Sequence, residues 1–285
     1  MAKKLTKKNK KEMNDSTEGL ITKGISLVTL GKHEEAIKCF DKALEINPNH
    51  ALPWYNKGFS LTKLGKYKEA IECYDKALKI NPNFEFAWNN KGVSLARLCK
   101  YDEAIQCYDK ALDINPNLHS AWDSRGGSLF GLGKYKESIE CYDKALEINS
   151  DDEITWDNKG GSLARLCKYD EAIQCYDKAL DINPNLHSAW DNKGRSLFGL
   201  GKYKESIKCF DKALKINSNN EHAWRFRGGS LFGLGKYKES IECYDKALKI
   251  NPNDKLAWYN KGISLEKLGK NDEAKRCFDK ALKLG

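Results

Sequence analysis

The thirty residues SLARLCKYDEAIQCYDKALDINPNLHSAWD occur twice, letter for letter, as Ser94 to Asp123 and as Ser162 to Asp191, 68 residues apart. A catalytic centre needs one constellation of groups in one place, so a long duplication marks a building block whose neighbours resemble it. A shorter period lies inside the 68. All seven tryptophans, Trp54, Trp88, Trp122, Trp156, Trp190, Trp224 and Trp258, follow one another at intervals of 34, and a glycine stands four places after each, from Gly58 to Gly262. Leu20 and Gly24 extend this grid backward, so eight units begin at residues 17, 51, 85, 119, 153, 187, 221 and 255.

One unit, residues 51 to 84, is ALPWYNKGFSLTKLGKYKEAIECYDKALKINPNF. Apolar or small residues at Trp54, Gly58, Leu61 and Leu64 keep helical spacing until Gly65; Ala70, Ile71, Tyr74, Ala77 and Leu78 resume it until Asn81-Pro82-Asn83. Each unit is predicted to be two helices and two short turns, with Gly58 and Ala70 small where the helices approach and Tyr74 filling the space one turn on. Such a pair cannot bury both its faces alone and must stack on its neighbours. The expected fold is all-α, eight helix-turn-helix units over residues 17 to 285, preceded by a disordered basic arm at residues 1 to 16.

That arm bears on the net charge of +9: Met1 to Ser16 holds six lysines against Glu12 and Asp15, so nearly half of the excess sits there. It has no apolar stretch behind it and reads as neither a secretory signal nor a membrane anchor. No apolar run elsewhere approaches bilayer length. Eight of the ten cysteines fall on the grid (Cys39, Cys73, Cys107, Cys141, Cys175, Cys209, Cys243, Cys277), a spacing that predicts buried thiols too far apart to bridge and a reducing, cytoplasmic setting. Cys99 and Cys167 stand where six other units have the glycine that ends the first helix, so each either adopts a positive φ or lets the turn form differently. No CxxC, Cys/His cluster, phosphate loop or nucleophile-base arrangement is visible, so no metal, cofactor or enzymatic activity is expected. The five histidines, His33, His50, His119, His187 and His222, sit near turns and read as surface residues.

The period and its W, L-G, Y, A, F and P landmarks resemble the tetratricopeptide repeat, from residue 17 to residue 285. Two landmarks depart from that pattern. The place before the glycine is basic (Lys23, Lys57, Lys91, Arg125, Lys159, Lys193, Arg227, Lys261), and leucine, from Leu27 to Leu265, stands three places after the glycine in place of tyrosine. Each basic residue has an aspartate eighteen places later in its own unit (Asp41 to Asp279 at the same period), so pairing between helices is expected over a cationic ladder for polyanions, and nucleic acid is not an expected partner.

The resemblance implies a right-handed superhelix whose first helices line a concave groove, and a non-enzymatic scaffold that holds a protein or an extended peptide there. Asparagine recurs at the sixth place, as Asn56, Asn90, Asn158, Asn192 and Asn260, where helix propensity does not favour it. In this family such asparagines hold a peptide backbone, and an amide's one acceptor and two donors suit that task; the alternative is an amide ladder bonding neighbouring units. Specificity is expected at the variable Tyr55, Asn89, Asp123, Asp157, Asp191, Arg225 and Tyr259, with Arg97, Arg165 and Arg195. Relatives that clamp a chaperone's terminal carboxylate use Lys at the fifth and Asn at the ninth place, a pair that no unit has. The rival roles are a structural array that self-associates end to end, and polyanion binding through the arm. In the last unit Lys275 replaces the isoleucine of seven other units and Asn271 the preceding aromatic or histidine, as expected of a cap.

Overall fold

The computed structural model describes residues 16 to 284; Met1 to Asp15, most of the basic arm, lie outside the described residues. Ser16, at the arm's end, is the N-cap of the first helix, its side chain accepting from Gly19 N at 3.1 Å. Among the described residues there are sixteen helices and no strand. They come in pairs, one pair per repeat: α1 (Thr17–Thr29) and α2 (His33–Ile46), α3 (Ala51–Lys63) and α4 (Tyr67–Ile80), α5 (Glu85–Arg97) and α6 (Tyr101–Ile114), α7 (His119–Gly131) and α8 (Tyr135–Ile148). Then follow α9 (Glu153–Arg165) and α10 (Tyr169–Ile182), α11 (His187–Gly199) and α12 (Tyr203–Ile216), α13 (Glu221–Gly233) and α14 (Tyr237–Ile250), α15 (Lys255–Lys267) and α16 (Asn271–Lys283). The chain divides between Ile148 and Asn149 into two compact bodies of four repeats each.

The second helices are amphipathic in the simplest way. In α4 the buried residues Ala70, Cys73, Tyr74, Ala77 and Leu78 recur every three or four positions, which places them on one stripe. The first helix packs on that stripe at close range: a Cβ added at Gly92 of α5 would lie 2.6 Å from the Tyr108 ring of α6. Each of the first seven hairpins ends on an asparagine whose Oδ1 accepts from a backbone N–H two residues on, as in Asn81 and Asn83 at 3.2 Å, so that the chain turns into the next repeat.

The turn inside each hairpin resolves the question of the two unusual cysteines. At Gly65 (φ 75) the chain closes α3 with Gly65 N bonded to Thr62 O and Lys66 N to Leu61 O, the paired bonds of a Schellman motif. Cys99 and Cys167 adopt the same left-handed conformation (φ 59 for both), and Cys99 N bonds to Ala96 O and Lys100 N to Leu95 O. The turn therefore forms unchanged, with an L-residue held where its Cβ is disfavoured. All ten cysteines are free; the eight on the grid are buried, and these two are exposed. Burial pushes the Cys73, Cys107 and Cys209 thiols up to about 11, which keeps them protonated and unreactive at neutral pH.

Replacing Cys99 or Cys167 by glycine relieves about 1 kcal/mol of backbone strain at each site. Each variant should raise the midpoint of urea unfolding with an unchanged slope; a lowered midpoint would show that the thiol side chain contributes more than its backbone costs.

Candidate functional site

Within each body, consecutive repeats are joined by the tryptophan and the basic residue that follows it. The Trp88 indole N–H reaches back to Pro82 O at 2.9 Å, and Trp190 does the same to Pro184 O, so each ring fastens the turn that ends the preceding repeat. The basic residue lies over the ring, as Lys91 over Trp88 at 5.4 Å. Its charge is met by an aspartate, but in the preceding repeat: Lys57 pairs with Asp41 at 2.5 Å, Lys91 with Asp75 at 2.6 Å and Arg125 with Asp109 at 2.8 Å. Lys193 with Asp177, Arg227 with Asp211 and Lys261 with Asp245 repeat this in the second body. Pairing within one repeat, eighteen places apart, is thus corrected to pairing across the joint, sixteen places apart. The basic column is engaged along one seam and is not an open cationic ladder.

A second line of joints runs through the first helices. The fifth place of one repeat meets the second and sixth places of the next. Tyr55 Oη accepts from Asn90 Nδ2 at 3.1 Å, and its ring lies 4.7 Å from that of Phe84; Asn89 Nδ2 donates to Asn90 Oδ1 at 3.3 Å and to Ser120 Oγ at 3.5 Å. Asp157 Oδ1 accepts from Asn192 Nδ2 at 3.0 Å and Oδ2 from Ser188 Oγ at 2.8 Å. Arg225 Nε stands 3.1 Å from Asp254 Oδ2. The residues expected to write specificity therefore lie partly inside the joints: Asn89, Asp157 and Asp191 are buried, Tyr55, Asp123 and Arg225 half-buried, and only Arg97, Arg165, Arg195 and Tyr259 exposed.

The five asparagines are half-buried. Asn90 and Asn192 make the bonds to the preceding repeat just given, and Asn56 Nδ2 donates to Leu52 O at 2.9 Å. A packing reason for asparagine at this place thus exists at two joints, as in the amide-ladder alternative. Each such bond uses one of the two N–H groups. The second N–H and the carbonyl of Asn192 have no hydrogen-bond partner among the described residues.

Sequence reasoning missed two columns of serine. At the tenth place serine is buried in repeat after repeat, and Ser60, Ser94, Ser162, Ser230 and Ser264 bond their own helix, as Ser94 Oγ to Asn90 O at 3.0 Å. At the twentieth place, where repeats 4, 6 and 7 have serine in place of alanine, Ser206 Oγ donates to Gly194 O at 2.8 Å and meets Ser230 Oγ of the next repeat at 3.0 Å. The exchange of Ala70 for Ser138, Ser206 and Ser240 at one repeat place was the available signal.

The tetratricopeptide repeat model matches residues 18–50, 51–84, 86–118, 121–152, 156–186 and 256–284, a second model of the same repeat matches 187–220, and a TPR repeat model matches 228–269. The chain belongs to the tetratricopeptide repeat family. Solved structures share the fold. A tetratricopeptide repeat protein from Parabacteroides merdae is 19% identical over 87% of this chain and 98% of its own, with a TM-score of 0.66. A chain of the APC/C hetero-tetramer Cut9-Hcn1 is 17% identical over 96% of this chain and 54% of its own, with a TM-score of 0.67. YrrB, described as a TPR protein with an unusual peptide-binding site, is 23% identical over 67% of this chain and 98% of its own, with a TM-score of 0.56. At these identities the likeness is one of fold. No curated protein matches the chain by sequence.

Two measurements test the joints. In double-mutant cycles, Lys91 with Asp75 should couple by about 0.2 to 1 kcal/mol, as expected of a partly exposed pair, and Lys91 with Asp109 by nothing measurable. Coupling to Asp109 alone would restore the within-repeat pairing. Burial, the largest cause, holds the Asp157 and Asp191 carboxyls above their ordinary range. The folded chain then binds those protons more tightly than the unfolded one, so stability falls as pH rises from the unfolded carboxyl value through the raised folded one. Asp191→Asn should be more stable than the parent at pH 7 by about 1 to 3 kcal/mol, and the difference should close as the pH is lowered to about 4. A variant less stable than the parent at pH 7 would contradict this.

Proposed function

We propose that the chain is a non-catalytic scaffold that holds an extended segment of a protein partner along its first helices. The observation that carries this reading is the state of the sixth-place amides. Asn56, Asn90 and Asn192 are each fixed by an internal bond through one N–H, which orients the side chain before any ligand arrives. Asn192 keeps a donor and an acceptor for a peptide group, a pairing indifferent to the ligand's sequence. Asn158 and Asn260 stand at the same repeat place, half-buried. YrrB, similar in fold, is described as having a peptide-binding site, which supports the same kind of role here.

Polyanion binding is the weaker alternative, because the basic column is paired with aspartates across six joints. No helix among the described residues is long and apolar enough to cross a membrane. Ten free thiols support a reducing compartment, the cytoplasm.

Replacing Asn90, Asn158 and Asn192 together with alanine should weaken a groove ligand more than tenfold, since three amide contacts at about 0.5 to 1.5 kcal/mol each are lost. Calorimetric titration with a ligand recovered from native extract measures this, with a melting curve of the variant to register the internal bonds that are also removed. Affinity that survives the triple substitution but collapses when residues 1 to 15 are deleted would move the function to the basic arm. That deletion leaves the Ser16 cap in place.

A further inference from the structure

In repeats 5 to 7 the joint between first helices is built twice, once complete and once with a part missing. Asp157, on α9, is 8% exposed, and both its oxygens are satisfied from α11, by Asn192 and by Ser188. One repeat on, Asp191 holds the same place on α11 and is 9% exposed. The residues of α13 in the corresponding places are His222 where α11 has Ser188, and Phe226 where α11 has Asn192. A phenyl ring has no donor, and Asp191 Oδ1 is left buried with no hydrogen-bond partner. Arg195, one turn along α11, lies over the Phe226 ring at 5.2 Å, and Arg225 lies over it at 5.0 Å while its Nε meets Asp254. Among the described residues neither guanidinium forms an ion pair with Asp191. Of the charged and titratable groups around the carboxylate, Arg195, His222 and His187 favour its ionised form and Asp157 opposes it.

A desolvated carboxylate oxygen without a donor is costly, and the four charged or titratable groups named belong to three consecutive first helices, α9, α11 and α13. We propose that Asp191 is the acceptor for a cationic donor of the bound segment, the ammonium or guanidinium of a basic side chain, which supplies the bond that Asn192 supplies to Asp157. This rests on the groove reading above and adds to it the chemistry of one subsite: a partner segment with Lys or Arg at the residue that passes repeats 6 and 7. A charge-assisted bond to a buried carboxylate is about twice as strong as a neutral one, so one residue of the ligand can set the register of the rest.

The test is selection from a pool of N-terminally acetylated random peptides on the immobilised full chain and on its Asp191→Asn and Phe226→Asn variants, each checked by its melting curve. The second variant restores an internal amide donor to Asp191 and leaves the charge in place. The parent should enrich Lys or Arg at one peptide position by about tenfold, the ratio that a single charge-assisted bond supplies. Both variants should capture peptide without that preference. A parallel pool with free amino termini tells a side-chain cation from a terminal one, either of which supplies the donor. Capture by the parent without basic enrichment, or enrichment that persists in Asp191→Asn, overturns the subsite and leaves the groove reading standing. No capture of any peptide by the parent overturns both.

Discussion

The contact between the eighth-place glycine and the aromatic ring sixteen residues later sets the distance between the two helices of every repeat. With the first helix lying on the ring of Tyr74 or Tyr108, there is no room for a Cβ at Gly58 or Gly92. At that separation the small residues at the twentieth place, Ala70 or Ser206, are fully buried between the helices. The serines gain a partner from the same closeness, because a backbone carbonyl of the first helix comes within 2.8 Å of the Ser206 hydroxyl. Everything that joins one repeat to the next, from the tryptophan indoles to the fifth-place side chains, is placed by this spacing.

Much of this is legible in the letters, for a physical reason: close packing fixes residue type, and repetition displays the same requirement again and again. Gly58, Leu61, Ala70 and Tyr74 each answer to a steric need within one hairpin, so their spacing reveals the hairpin. The direction of the basic-acidic pairing was not legible. In a chain of period 34, an aspartate eighteen places after Lys91 and one sixteen places before it occupy the same repeat place, and periodicity alone cannot distinguish them. The choice belongs to how one hairpin sits on the next, which shows only in three dimensions.

The candidate site was legible in part. The recurrence of Asn56, Asn90, Asn158, Asn192 and Asn260 marks the place, but their internal bonds depend on which residue of the preceding repeat arrives opposite, Tyr55 in one joint and Asp157 in another. For the same reason Asp157 and Asp191, identical in sequence place and flanked by similar letters, differ in chemistry. One faces an amide and a hydroxyl, the other a histidine and a phenylalanine from the next repeat.

The cross-joint pairing bears on how such a chain can lengthen. From the second repeat on, each hairpin offers a lysine or arginine and an indole at its leading edge, and every repeat before the last offers an aspartate and a turn carbonyl at its trailing edge. A duplicated block of whole repeats therefore carries matching halves of a fastening at both ends, and splicing it in leaves no charge or indole N–H stranded at the seam. The twin segments Ser94 to Asp123 and Ser162 to Asp191, each running from a first helix through a second helix and its turn into the next first helix, bear the mark of growth by such interchangeable parts.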